Sequence, residues 1–260
     1  MSLLMPVFAL LGLFVGSFLN VCIDRLPRGQ SIIHPRSYCA ACNRKLGNLD
    51  LIPLFSYLWL RGRCRYCQAH IPLRLPIVEG VTGLLFALLF WYCKFELGLE
   101  LAIFLTYASL LTVIFVIDLE NQLVLDKVIY PGMALALSLS FFWPGVEGIP
   151  MVPGEALSRV VSSLTGGAIG LGAMALPFII YRRGMGMGDV KLGALVGLMT
   201  GFPLVFVAIL LSWIGGGLVA ALLLAFKVKK LKDPIPSATF LATATMVTLL
   251  WGQAIWQWYL

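Results

Sequence analysis

The chain has 260 residues, of which 60% are hydrophobic and only 12% charged, with a mean hydropathy of +0.94. Twelve acidic and nineteen basic side chains cannot cover a water-soluble domain of this size, so the composition excludes one and implies a polytopic membrane protein. The net charge of +7 does not signal nucleic-acid binding: nine bases fall between Arg25 and Arg74 and four between Lys227 and Lys232, a clustering that reads as membrane topology.

Eight apolar segments are predicted as helices, at 3–22, 76–93, 100–117, 124–143, 157–181, 190–201, 204–226 and 236–259. Several are near or above the roughly 18–20 residues that cross ~30 Å of hydrocarbon. Met1–Pro6 carries no base, and the first run is followed by Asp24, Arg25 and Arg28 rather than by a small-residue cleavage site. It is therefore expected to be the first membrane helix and not a removable signal.

The polar stretch 23–75 contains Cys39-Ala-Ala-Cys42 and Cys64-Arg-Tyr-Cys67, with 21 residues between the pairs. That spacing suits a four-thiolate zinc site, its spacer slightly longer than the usual ~15–20 residues. Four sulfurs close the zinc tetrahedron, so the metal would be structural and not activate water. Reactive or redox thiols are the competing reading. Disulfides are not expected in a loop that the charge pattern puts in the reducing cytoplasm. His34 and His70 flank the pairs, but four cysteines already satisfy a metal, and Cys22 and Cys93 read as core residues.

Glu79, near the start of the second segment, is expected to be either a buried partner or a site residue. Asp118 ends the run 101–117, and Glu120 and Asp126 beyond it are expected to be solvated. Gly166, Gly167, Gly170, Gly172 and Gly215–Gly217 are expected to allow close helix packing in lipid. Gly186-Met187-Gly188 precedes Asp189, and these glycines are expected to take positive φ and bring the backbone close to a substrate. A nucleotide-binding loop is not indicated, because Asp189 occupies the last glycine position of that pattern and no strand precedes it. Gly201-Phe202-Pro203 is predicted to break the sixth segment from the seventh. An N-terminus outside places 23–75, 118–127, 182–191 and 227–235 in the cytoplasm with seventeen of nineteen bases, leaving Lys94 and Arg159 opposite.

An acid at a bilayer edge is costly to dehydrate and so suggests function. The orientation puts Asp118 and Asp189 on one membrane face. Two adjacent carboxylates share a proton, one serving as general base for water and the other as general acid toward a carbonyl. That is the chemistry of aspartic proteolysis. The bland alternative has both acids capping helices or pairing with Lys191, Arg182 and Arg183.

The chain resembles the type IV prepilin leader peptidases, integral-membrane aspartyl proteases with a G-x-G-D motif. The resemblance runs through Gly16-Ser-Phe-Leu-Asn20 with Arg25-Leu-Pro27, both C-x-x-C pairs, Pro53-Leu-Phe-Ser-Tyr57 and Pro76-Ile-Val-Glu79. It continues through Ile117-Asp118-Leu-Glu-Asn-Gln122 and Gly186-Met-Gly-Asp189-Val-Lys191. It implies that Asp118 and Asp189 are catalytic and that Cys39, Cys42, Cys64 and Cys67 form the family's tetracysteine motif. It further implies cleavage of the basic leader of prepilins or pseudopilins at the cytoplasmic face of the bacterial inner membrane. Methylation of the new N-terminus from S-adenosylmethionine rests on the resemblance alone. Two departures stand out. The Leu-Pro-Asp of similar members is replaced at Val124-Leu125-Asp126, and Pro-Phe-Gly-Pro is replaced around Pro234-Ile-Pro-Ser-Ala-Thr239. Neither is expected to touch the catalytic pair, and the second is expected to affect substrate choice.

The expected architecture is all-α and polytopic, with about eight transmembrane helices and a small cytoplasmic zinc-binding loop domain. Residues 1–23 form the first helix, 24–75 the tetracysteine domain and 76–260 the protease core. Prepilin substrates and the lipid bilayer are the expected partners. The rival functions are a proton- or cation-coupled transporter using Asp118 and Asp189, and an assembly factor that docks a partner through its zinc loop.

Overall fold

The computed structural model describes residues 4–142, 155–180, 186–227 and 236–259. The expectations resting on Arg182, Arg183, Lys229, Lys230, Lys232 and Pro234 lie outside the described residues. Each of the eight apolar segments forms a helix, and among the described residues the only extended pairing is two isolated bridges in the cysteine loop. Contacts divide the chain into two compact units, Met1–Val113 and Ile114–Leu260.

In the first unit, α1 (Met5–Arg25) starts with a proline in its first turn, where the missing N–H costs nothing, and pairs with α3 (Arg74–Tyr92). The pairing is close because glycine faces backbone. A Cβ on Gly12 would lie 2.6 Å from the Thr82 carbonyl oxygen, and one on Gly16 would lie 2.8 Å from Glu79 Cα. In lipid, packing of this kind takes the place of hydrophobic burial. Between the two helices the chain makes an excursion containing the short α2 (Phe55–Trp59). The excursion is closed at its base: Arg74 Nη2 donates to Asp24 Oδ1 at 2.7 Å, and Asn20 Nδ2 donates to the Leu75 carbonyl at 3.0 Å. The helix α4 (Leu99–Asn121) gives Leu99–Val113 to this unit, and its Phe104 meets Tyr92 edge-on.

The second unit comprises the end of α4 with α5 (Asp126–Ser140), α6 (Glu155–Ile180), α7 (Met187–Thr200), α8 (Leu204–Ala225) and α9 (Ser237–Tyr259). At its centre is α7, which packs against α5, α6, α8 and α9 and buries ten of its 14 residues. Its closest neighbour is α6. A side chain at Gly166 or Gly197 would collide with the other glycine's carbonyl group, and Gly170 meets Gly193 in the same way. The expected glycine packing therefore holds at Gly166, Gly167 and Gly170, whereas Gly172, Gly215 and Gly217 have nothing within 4 Å of a Cβ. The predicted break after α7 is present: Gly201 closes the helix at φ +70°, and the Phe202 N–H donates to the Ser162 carbonyl at 3.0 Å.

Among the described residues, six helices have the length and apolar composition to cross a membrane: α1, α3, α4, α6, α8 and α9. The helices of the other two apolar segments are shorter. At 15 and 14 residues, α5 and α7 extend only about 21–23 Å, less than a bilayer's hydrocarbon thickness. A multi-pass membrane protein results, with α7 enclosed by longer helices.

Candidate active site

The first turn of α9 exposes N–H groups that have no partner within the helix. A carboxylate from another segment takes them. Asp118, in the last turn of α4 and 3% exposed, accepts from Thr239 N at 2.8 Å and from Thr239 Oγ1 at 2.9 Å, both on Oδ2. The Ala238 backbone N–H also reaches this carboxylate. Asp118 thus performs across 121 residues the office that a Ser or Asp normally performs at its own helix start, favoured by the positive end of the α9 dipole.

Asp189 comes from the opposite direction. It is the third residue of α7, is 8% exposed, and accepts from Gly186 N at 3.3 Å on Oδ2. An N3 carboxylate reaching back in this way satisfies one of that helix's own free donors. The Ser237 side chain also hydrogen-bonds to Asp189, and the Asp118 charge acts on it. The two acids are thereby gathered at one helix end, Thr239 holding one and Ser237 the other.

Two expectations are corrected here. The segment that replaces Pro-Phe-Gly-Pro was expected to leave the acids untouched, yet its Ser237 and Thr239 contact both. The sequence offered only Ser-Ala-Thr at a predicted helix start, which reads as that helix's own cap and names no distant partner. The glycines of G-x-G-D were expected at positive φ. Gly186 has φ −83°, and Gly188 is an ordinary residue of the α7 first turn. What Gly188 supplies is space, since a Cβ there would lie 2.7 Å from Val124 Cβ.

The nearby charges among the described residues are engaged or exposed. Lys191 Nζ donates to Asp126 Oδ1 at 2.7 Å and lies 5.2 Å from the Tyr130 ring, and Glu120 is exposed. In the first unit, Glu79 is a buried partner: its Oε2 accepts from Leu54 N at 2.9 Å, and Ser17 bonds to the same carboxylate.

The four expected cysteines converge, their sulfurs all within 4.8 Å of one another. A tetrahedral Zn–S length of ~2.3 Å requires S···S edges of ~3.8 Å, and Cys39 Sγ lies 3.8 Å from Cys67 Sγ. Both pairs are built alike. Cys39 N donates to the Arg44 carbonyl at 3.0 Å and Cys64 N to the Ala69 carbonyl at 2.8 Å. Asn43 and Gln68, each following a second cysteine, both have positive φ, and single bridges Tyr38–Lys45 and Arg63–His70 close the two turns. The Cys42 backbone N–H favours the Cys39 thiolate and lowers that thiol to about 7. At Cys67 the Ala69 backbone acts in the same direction, but burial and the neighbouring thiols outweigh it and push the thiol up to about 11. A cluster in which one charge opposes the next is compatible with a cation at its centre.

Residues 10–93 match the bacterial peptidase A24 N-terminal domain, and residues 105–221 match the type IV leader peptidase family. Similar proteins include the prepilin leader peptidase/N-methyltransferase of Aeromonas hydrophila, 32% identical over 96% of this chain and 92% of its own length. The protein of the same name from Bacillus subtilis (strain 168) is 31% identical over 99% and 98%. That of Myxococcus xanthus (strain DK1622) is 35% identical over 84% and 64%. No solved structure matches the chain. The chain belongs to the type IV leader peptidase family.

Proposed function

We propose that this member of the leader peptidase family is a membrane aspartyl endopeptidase that removes the leader of type IV prepilins or pseudopilins, with Asp118 and Asp189 as its catalytic pair. One observation carries the assignment of residues. Two buried carboxylates, 71 positions apart in sequence, meet the same first turn of α9, Asp118 through Thr239 and Asp189 through Ser237. Two acids so placed hold one proton between them, leaving one to deprotonate water and the other to protonate the carbonyl oxygen. No observation favours a transporter.

The substrate chemistry suits the placement. A cationic leader joined to a long apolar helix can lie in the bilayer while its scissile bond stays at the surface, where water is available. Asp118 ends α4 and Asp189 begins α7, so both belong to helix ends and not to the hydrocarbon centre. The basic loops support a cytoplasmic active site in the inner membrane of a bacterium.

The tetracysteine cluster is proposed to hold a structural zinc within a loop domain at 24–75, between the first helix and the protease core at 76–260. The names of the relatives support methylation of the new N-terminus from S-adenosylmethionine as a second step. Type IV pilus or type II secretion pilins are the proposed substrates.

Mass spectrometry of a prepilin incubated with the purified protein, with and without S-adenosylmethionine, tests both steps together. Cleavage and an added methyl mass are expected from the unaltered protein. Asp118→Asn and Asp189→Asn should each insert in the membrane yet leave the leader attached. Substantial leader removal by either variant refutes the pairing.

A further inference from the structure

We propose that Thr239 is a positioning residue that keeps Asp118 as the ionised member of the pair, so that Asp118 takes the proton of the attacking water while Asp189 carries the shared proton. The inference rests on the reading of the two acids as catalytic and assigns them separate roles.

The donor inventory carries it. Asp118 Oδ2 faces two short donors, Thr239 N at 2.8 Å and Thr239 Oγ1 at 2.9 Å. A backbone N–H cannot accept, so a proton placed on that oxygen would point at another hydrogen. Asp189 is differently served. It has one longer N–H contact, Gly186 at 3.3 Å, and the Ser237 hydroxyl, which donates or accepts as required. The two Thr239 donors therefore favour the charged form of Asp118, while the Ser237 hydroxyl can accept from a protonated Asp189. Among the described residues, the other titratable groups of these elements are engaged elsewhere or exposed, Lys127 of α5 included. On α4 there is exposed Glu120; on α7, Lys191 is engaged by Asp126 and Tyr130 of α5; α9 carries no titratable side chain before Tyr259.

The cycle balances. Water loses a proton to Asp118 as its oxygen bonds to the scissile carbon, and the carbonyl oxygen takes the proton of Asp189. The C–N bond then breaks as Asp118 returns its proton to the leaving nitrogen. Asp189 recovers a proton from the gem-diol, which becomes the new carboxyl group.

The test is the pH profile of kcat/KM for prepilin cleavage in purified Thr239→Val, Thr239→Ala and Thr239→Ser. Losing a donor to the charged form makes Asp118 easier to protonate. The acid limb of Thr239→Val and Thr239→Ala should therefore move to higher pH by about one to two units, with the rate recovering at alkaline pH. Thr239→Ser retains the hydroxyl and should keep the unaltered limb. A uniform loss at every pH with the limb unmoved, or an equal defect in Thr239→Ser, overturns the proposal. Should Thr239→Val fail to fold, Thr239→Ala carries the same expectation, with thermal unfolding in detergent reporting which variants are intact. Cleavage by Asp118→Asn or Asp189→Asn would sink the catalytic reading itself. An unmoved limb alongside two inactive asparagine variants sinks only this division of roles.

Discussion

Adding one methyl group at Gly188 separates a steric account of the G-x-G-D motif from a conformational one. In Gly188→Ala the new carbon would lie 2.7 Å from Val124 Cβ, 3.3 Å from its Cγ1 and 3.4 Å from its carbonyl oxygen. Carbon atoms settle at about 3.5–4.0 Å, so the start of α7 or the link holding Val124 must move by about 1 Å. Such overpacking costs about 1–3 kcal/mol, while alanine improves on glycine within a helix by about 1 kcal/mol. Global stability should accordingly change little. Activity should not be spared, because Asp189 is the next residue, and a misplacement near 1 Å in a catalytic group costs on the order of 100-fold. The assay is kcat/KM for prepilin cleavage beside a melting curve in detergent. Gly186→Ala should be the milder variant, since its Cβ would meet neighbours only at 3.8 and 3.9 Å and its φ of −83° suits any residue. Removing the obstacle in Gly188→Ala/Val124→Gly should restore part of the lost rate. Unaltered cleavage by Gly188→Ala, or no recovery in the double variant, would show that Gly188 serves something other than clearance.

Replacing Glu79 with Ala leaves the Leu54 N–H without its acceptor and should lower stability by about 1–3 kcal/mol, whereas Glu79→Gln retains an acceptor and should lose less; thermal unfolding compares them. Gly197→Leu drives a side chain into the Gly166 carbonyl and should prevent accumulation of folded protein in the membrane, while Gly215→Ala, with nothing within 4 Å, should accumulate normally by quantitative immunoblot. Elemental analysis should find about one zinc per chain, lost in Cys64→Ser. Because binding of such a metal is folding free energy, chelation or that substitution should open the loop to trypsin at Arg61, Arg63 and Arg65; a loop equally resistant without metal would contradict a structural zinc.

The helices were legible because an apolar run in a membrane leaves the backbone little choice but to satisfy itself. Their number followed from the runs, and the run 190–201 already marked α7 as short, but the shortness of α5 was concealed by apolar residues that continue past its start, as at Leu123–Leu125. Both acids and all four cysteines could be named from motifs. Thr239 and Ser237 could not be, since a hydroxyl residue opening a helix reads locally as that helix's own cap. That its partner is a carboxylate 121 residues earlier is a property of packing and not of the segment. The glycines misled for a related reason. Tolerance of positive φ is intrinsic to the residue, whereas the demand for an absent side chain at Gly188 is set by Val124 on another stretch of chain.

Asp24 and Arg74, fifty positions apart, touch each other. The polypeptide consequently departs from the α1–α3 pair and returns to it at a single doorway. Everything between behaves as a cassette: closing a longer or shorter insert there changes the entropy of the chain by only about 0.6 kcal/mol per doubling. Lineages are free to enlarge, trim or exchange the metal-bearing insert, and an engineer can graft one from a relative, so long as the two residues at the threshold still meet.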